Sequence, residues 1–135
     1  MSVDRARNSA LNRIGEPPKL RFPDDWTLST SWKRAQAAPA ECGPANPSEY
    51  DVLMGYTNSD DLAHHRVLFA LLDGSLRAEC PCKGYTHRGF CAHVAYLWWR
   101  WVRSDLAVTD LDTGETHLSP PWWLSIPDRE AGDSR

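Results

Sequence analysis

The sequence predicts an α+β fold in which a β-hairpin leads into a helix, with extensions at both ends packed around that unit. Three observations carry this. Apolar residues alternate from Tyr50 to Tyr56 and again from Leu76 to Cys80, the two-residue period of half-buried strands. From Cys91 to Arg103 the period becomes helical. Three of the four cysteines and one histidine stand at the junction between these patterns. At 135 residues the chain has room for one core and not for two full-sized domains.

Taken in order, residues 1 to 23 hold Arg5, Arg7, Arg13, Lys19, Arg21 and the Pro17-Pro18 pair, with no hydrophobic period. They read as a flexible basic arm or an extended strap. Residues 24 to 63 form an N-terminal extension. A short helix is expected to open at Asp24 or Asp25, with Trp26 and Trp32 covering the core from outside. Pro39, Gly43, Pro44 and Pro47 mark 39 to 48 as a loop. A strand follows near 50 to 56, ended by the polar stretch Thr57 to Asp61. The His64-His65 pair is expected to flank the next strand on the surface.

Arg66 to Leu72 is an apolar β-rich run, Asp73-Gly74 suits a primed turn, and Leu76, Ala78 and Cys80 alternate on the way back. In the helix, Val94, Ala95, Trp98, Trp101 and Val102 share one stripe. Tyr96, Arg100 and Arg103 lie opposite, and Trp99 sits on the boundary. Residues 104 to 135 form a C-terminal extension. Within it Leu106 to Leu111 alternates, Asp112 to Glu115 offers a turn, Pro120 to Trp123 reads as an aromatic strap, and the tail from Asp128 is expected to fray. Leu, Ile, Val and Phe number only 25, so the seven Trp must supply much of the core.

Cys80-Pro-Cys82, eight residues, then Cys91-Ala-His93 gives the pattern C-x-C-x8-C-x-H. Three thiolates and an imidazole are a donor set for tetrahedral zinc. One pair ends a strand and the other opens a helix, with Pro81 limiting backbone freedom between the first two sulfurs. Four protein ligands leave no open position, so one structural Zn²⁺ is expected rather than a hydrolytic one. The C-x-C-x8-C portion is also spaced as in the CDGSH-type [2Fe-2S] proteins. Those place the histidine four residues after the last cysteine, following Asp-Gly; here Ala95 and Ala92 stand at those places.

A hairpin running into C-x-C, a loop and C-x-H at the start of an apolar helix resembles the SWIM zinc finger, over residues 64 to 103. The resemblance implies a ββα zinc module that binds DNA or a protein partner without catalysis, with Cys80, Cys82, Cys91 and His93 as ligands. The flanking residues carry no recognisable helicase, ubiquitin-ligase or transposase domain.

The formal charge of −3 excludes an evenly basic surface. Residues 64 to 103 nevertheless total +4, between flanks of −5 each. Lys83, Arg88, Arg100 and Arg103 are therefore the candidate nucleic-acid contacts, with DNA favoured because the basic block coincides with the motif. The acidic flanks and Trp99, Trp122 and Trp123 point instead to a protein adaptor. His87 is read as a solvated loop residue and Cys42 as a passive thiol. No phosphate-binding glycine loop, nucleophile elbow or paired carboxylates are visible, so a binding module and not an enzyme is expected, with no small-molecule substrate. With no apolar run of roughly 18 residues and no apolar N-terminal stretch, a soluble cytoplasmic protein without membrane contact is expected.

Overall fold

The computed structural model describes residues 18–55, 63–82, 85 and 90–124. Its fold is α+β. Helix α1 (Thr30–Ala37) is followed by strands β1 (Ala40–Asn46), β2 (Glu49–Met54), β3 (Ala63–Leu72) and β4 (Ser75–Glu79). Then come helix α2 (Ala92–Val102) and the two-residue strands β5 (Val108–Thr109) and β6 (Thr116–His117). The first four strands form one antiparallel sheet in the order β1-β2-β3-β4, and β5 and β6 form a separate antiparallel ribbon. No helix among the described residues is long and apolar enough to cross a membrane.

The β3–β4 hairpin turns where the Asp-Gly pair stands. Asp73 and Gly74 have φ of 52° and 77°, the two positive values a type I′ turn requires, and Leu72 pairs with Ser75 across it. The resulting register puts Val52 and His65, Tyr50 and Val67, Phe69 and Ala78, and Leu71 and Leu76 on one face. That face meets α2, and α2 in turn packs along α1. On the opposite face Ala70 and Leu72 are covered by Leu111, whose N–H bonds the carbonyl of Leu71 at 2.8 Å.

Large rings fill the core between sheet and helices. Trp98 and Trp101 are buried 5.9 Å apart, Trp101 meets Phe69 edge-on, and Phe22 lies within 5.5 Å of Trp26, Phe90 and Trp98. The indole N–H of Trp101 donates to the carbonyl of His117 at 2.8 Å, so the ring is buried without stranding its one polar atom. Phe22 is brought in by residues 18–20, which run antiparallel to β4. Leu20 N–H donates to Leu76 O at 2.9 Å, and Ala78 N–H donates to Pro18 O at 3.2 Å.

The structure departs from the sequence reading at five places. Residues 40–46 are not a loop but an edge strand. Pro44 is tolerated there because β1 has a single neighbour, and the register shifts between Pro44 and Asn46. Helix α1 starts at Thr30 and not at Asp24 or Asp25: Asp25 takes a left-handed φ of 58°, a 3-10 turn spans Trp26–Leu28, and Ser29 caps the helix through Oγ, which accepts from Trp32 N–H at 3.1 Å. Trp26 is buried in the core instead of covering it from outside, whereas Trp32 is partly exposed. His64 and His65 belong to β3 and do not precede it. In α2, Tyr96 is buried and Val102 is exposed, the reverse of the helical-wheel assignment. The helix has two neighbours, and the Tyr96 hydroxyl reaches the carbonyl of Ala40 on β1 at 3.3 Å. The calls on the N-terminal arm before Pro18, on Tyr56 to Asp61 and on the tail from Asp128 fall outside the described residues.

Trp98→Ala is expected to destabilise the protein by about 3–5 kcal/mol, the range for emptying a large buried aromatic site. Trp122, 85% exposed, is expected to tolerate alanine within about 0.5 kcal/mol. Urea unfolding of the two variants beside the parent measures both.

Candidate metal centre

The four predicted ligands converge. Cys80 follows the last residue of β4 and is buried, Cys82 lies two residues on and is partly exposed, and Cys91 is the N-cap of α2. His93, in the first turn of that helix, is buried. One donor atom from each residue lies within 4.8 Å of the others, and Cys80 Sγ is 3.7 Å from His93 Nδ1. Zinc bonds of about 2.3 Å to sulfur and about 2.0 Å to nitrogen place tetrahedral neighbours about 3.5–3.8 Å apart. The cluster is thus a Cys3His set able to hold one metal ion with little adjustment.

Local sequence explains the convergence. Cys91 has extended φ and ψ (−142°, 171°), and its Sγ accepts from Val94 N–H at 3.4 Å, so the ligand also serves as the helix cap. Cys82 Sγ accepts from Tyr85 N–H at 3.4 Å. Two backbone amides therefore point at sulfurs that become thiolates when a metal binds. A filled site of three thiolates, an imidazole and a divalent ion carries −1, and it sits at the positive end of α2.

Without a cation the sulfurs of Cys82 and Cys91 hold their protons. The Cys82 thiol is pushed up to about 12, first by its hydrogen bond with Cys91 and then by burial. Cys91 is also pushed up to about 12, first by its hydrogen bond with Cys80, with burial adding to this. Burial lowers the pKa of His93, which favours the neutral imidazole, the form that donates to a metal.

One neighbour escaped the sequence reading. The His65 ring lies 4.2 Å from that of His93, tilted by 41°, and its Nδ1 is buried with no hydrogen-bond partner among the described residues. Counting back two residues from Val67 along β3 places His65 on the core-facing side, and this alternation was the available signal. The stack limits rotation of the ligand ring, as outer partners of a metal-bound histidine commonly do.

The candidate nucleic-acid contacts are not gathered into one patch among the described residues. Lys83 and Arg88 fall outside those residues, as does His87. Arg103 is exposed at the end of α2, 4.9 Å over the Trp99 ring, and pairs with Asp105 at 3.5 Å. Arg100 does not face outward as the wheel suggests. It is half-buried, donating to Tyr96 Oη at 3.3 Å and to the carbonyl of Asp105 at 3.4 Å. Cys42 lies half-buried in β1 and is not part of the cluster.

No family model, curated protein or solved structure matches this chain.

Metal binding is expected to displace at least the protons of Cys82 and Cys91. Because both thiols are protonated throughout the neutral range, acidification weakens binding. Apparent affinity is expected to rise at least about a hundredfold per pH unit between pH 6 and 8. Competition against a chelating dye at three pH values measures the slope.

His65→Ala is expected to weaken metal binding about tenfold, whereas His65→Phe, which keeps a ring against His93, retains it. Cobalt titration monitored in the visible region reads both affinity and ligand geometry.

Proposed function

We propose that the chain is a non-enzymatic interaction module built on one structural zinc, of the kind its resemblance to SWIM fingers implies. The observation that supports this reading is the closed Cys3His set at the meeting point of β4 and α2. Four protein donors satisfy a tetrahedral ion, so the metal joins two elements and offers no site to a substrate. Zinc is favoured over a two-iron cluster because the histidine stands two residues after Cys91 and all four donor atoms lie within 4.8 Å of one another, the spacing of ligands around one ion.

In this reading the partner is nucleic acid, contacted through Arg103 together with Lys83 and Arg88 on the segment between the ligand pairs. Arg100 is removed from the set by its inward contacts. A protein partner is the second reading. It is favoured by the exposure of Leu118 at 63% and of Trp122, large apolar side chains that suit an interface core better than a phosphate backbone.

Elemental analysis of the purified protein is expected to return one zinc per chain and no iron; iron with acid-labile sulfide overturns the zinc assignment. Binding of the zinc-loaded chain to duplex and single-stranded DNA across a salt series tests the partner. Arg103→Gln is expected to flatten the slope of log affinity against log salt by about one unit, and Arg100→Gln by about none. Absence of salt-sensitive binding by the parent chain rejects nucleic acid in favour of the protein reading.

A further inference from the structure

The last turn of α2 carries a positive charge that lacks a counter-charge among the described residues. Arg100 forms no ion pair among the described residues. Its two hydrogen bonds, at 3.3 and 3.4 Å, are long for a guanidinium and go to a phenol and a carbonyl. Its Nε is buried with no acceptor among the described residues. The Asp105 carboxylate beside it is turned to Arg103. Cys42 faces Arg100 from β1, but burial pushes its thiol pKa up and keeps it neutral. The Tyr96 ring, 5.8 Å from the guanidinium carbon, and the negative end of the helix dipole offset part of the charge. A guanidinium cannot shed its proton to relieve the remainder.

The same arginine lines a cavity of about 390 Å³ between β1 and the β5–β6 ribbon, within the size range of small-molecule sites. Thr109 and Thr116 line it as well. They are direct cross-strand partners, so both side chains lie on one face of the ribbon and bring two hydroxyl donors together. Pro44, Pro47 and Leu106 supply apolar wall, and Asp105, whose carboxylate pairs with Arg103, lines the cavity too.

We propose that this cavity binds a small carboxylic acid with an apolar body, the carboxylate held by the Arg100 guanidinium and the Thr109 and Thr116 hydroxyls. The guanidinium supplies paired, planar donors that match a carboxylate, and the walls shelter the hydrocarbon portion. A bound carboxylate gives Arg100 the ion pair that Asp105, turned to Arg103, does not. The site is separate from the metal centre and does not depend on the reading of the chain as a zinc module.

The test titrates the full-length, metal-loaded, ¹⁵N-labelled protein with hexanoate, hexanamide and inorganic phosphate. Hexanoate is expected to produce saturable shifts at the Thr109 and Thr116 amides and at the Arg100 Nε–H, and hexanamide to bind about tenfold more weakly. Arg100→Met is expected to abolish hexanoate binding. Because Arg100 also ties the end of α2 to Asp105, Thr116→Val at an exposed position is the second variant. It is expected to weaken binding about threefold while leaving the rest of the spectrum unchanged. The proposal is overturned by the absence of saturable shifts with hexanoate, by equal binding of acid and amide, by response to phosphate alone, by binding that survives Arg100→Met in a folded chain, or by a Thr116→Val chain that binds like the parent.

Discussion

The convergence of Cys80 and Cys82 with Cys91 and His93 fixes how the helix can lie on the sheet. β4 ends at one ligand pair and α2 begins at the other, so bringing four donor atoms within 4.8 Å sets both the origin and the heading of α2. From that origin the helix carries Val94, Ala95, Trp98 and Trp101 over the face made by Val67, Phe69 and Ala78. Structural zinc in finger peptides contributes about 10–16 kcal/mol, comparable to or above the whole net stability of a small domain. A metal ion held by these four donors would give a core with so few branched aliphatic residues a proportionately large gain.

The aromatic core complements the ligand cluster. Indole and phenyl rings bury roughly 150–250 Å² each, so a few of them replace many leucines. Their cost is the polar atom each indole carries and the geometry each ring demands. Trp101 meets the first through His117 O, and the edge-on contacts among Trp98, Trp101 and Phe69 meet the second. The β5–β6 ribbon is too short to be stable alone, yet it is held where it supplies that carbonyl acceptor.

Features set by local chemistry were legible in the sequence. The Asp73-Gly74 turn, the alternation of β2 and β4, the extent of α2 and the ligand spacing each depend on residues close together in the chain. Features set by partners distant in sequence were not. β1 reads as a loop because its prolines signal breaks, and only its place at the sheet edge makes Pro44 acceptable. Tyr96 reads as outward because a wheel assigns one buried stripe, whereas α2 also faces α1 and the start of β1. His65 became part of the metal surroundings only through the pairing of β3 with β2, which turns its ring toward His93. The four ligands stood out from spacing alone; the environment that orients them is tertiary.

The two flanks of the main sheet are closed by different means. At β4 the main chain of residues 18–20 occupies the outer hydrogen bonds, and at β1 a proline interrupts the donors and the register shifts beside it. A strand with a free row of N–H and C=O groups is a template on which another chain can polymerise. Here neither flank offers an uninterrupted one, which protects a sheet containing the apolar run Val67 to Leu72 from stacking edge to edge with its copies. The protection is unequal. Pro44 is covalent and permanent, whereas residues 18–20 can be peeled away by a protease or a competing strand, making β4 the flank from which aggregation would start.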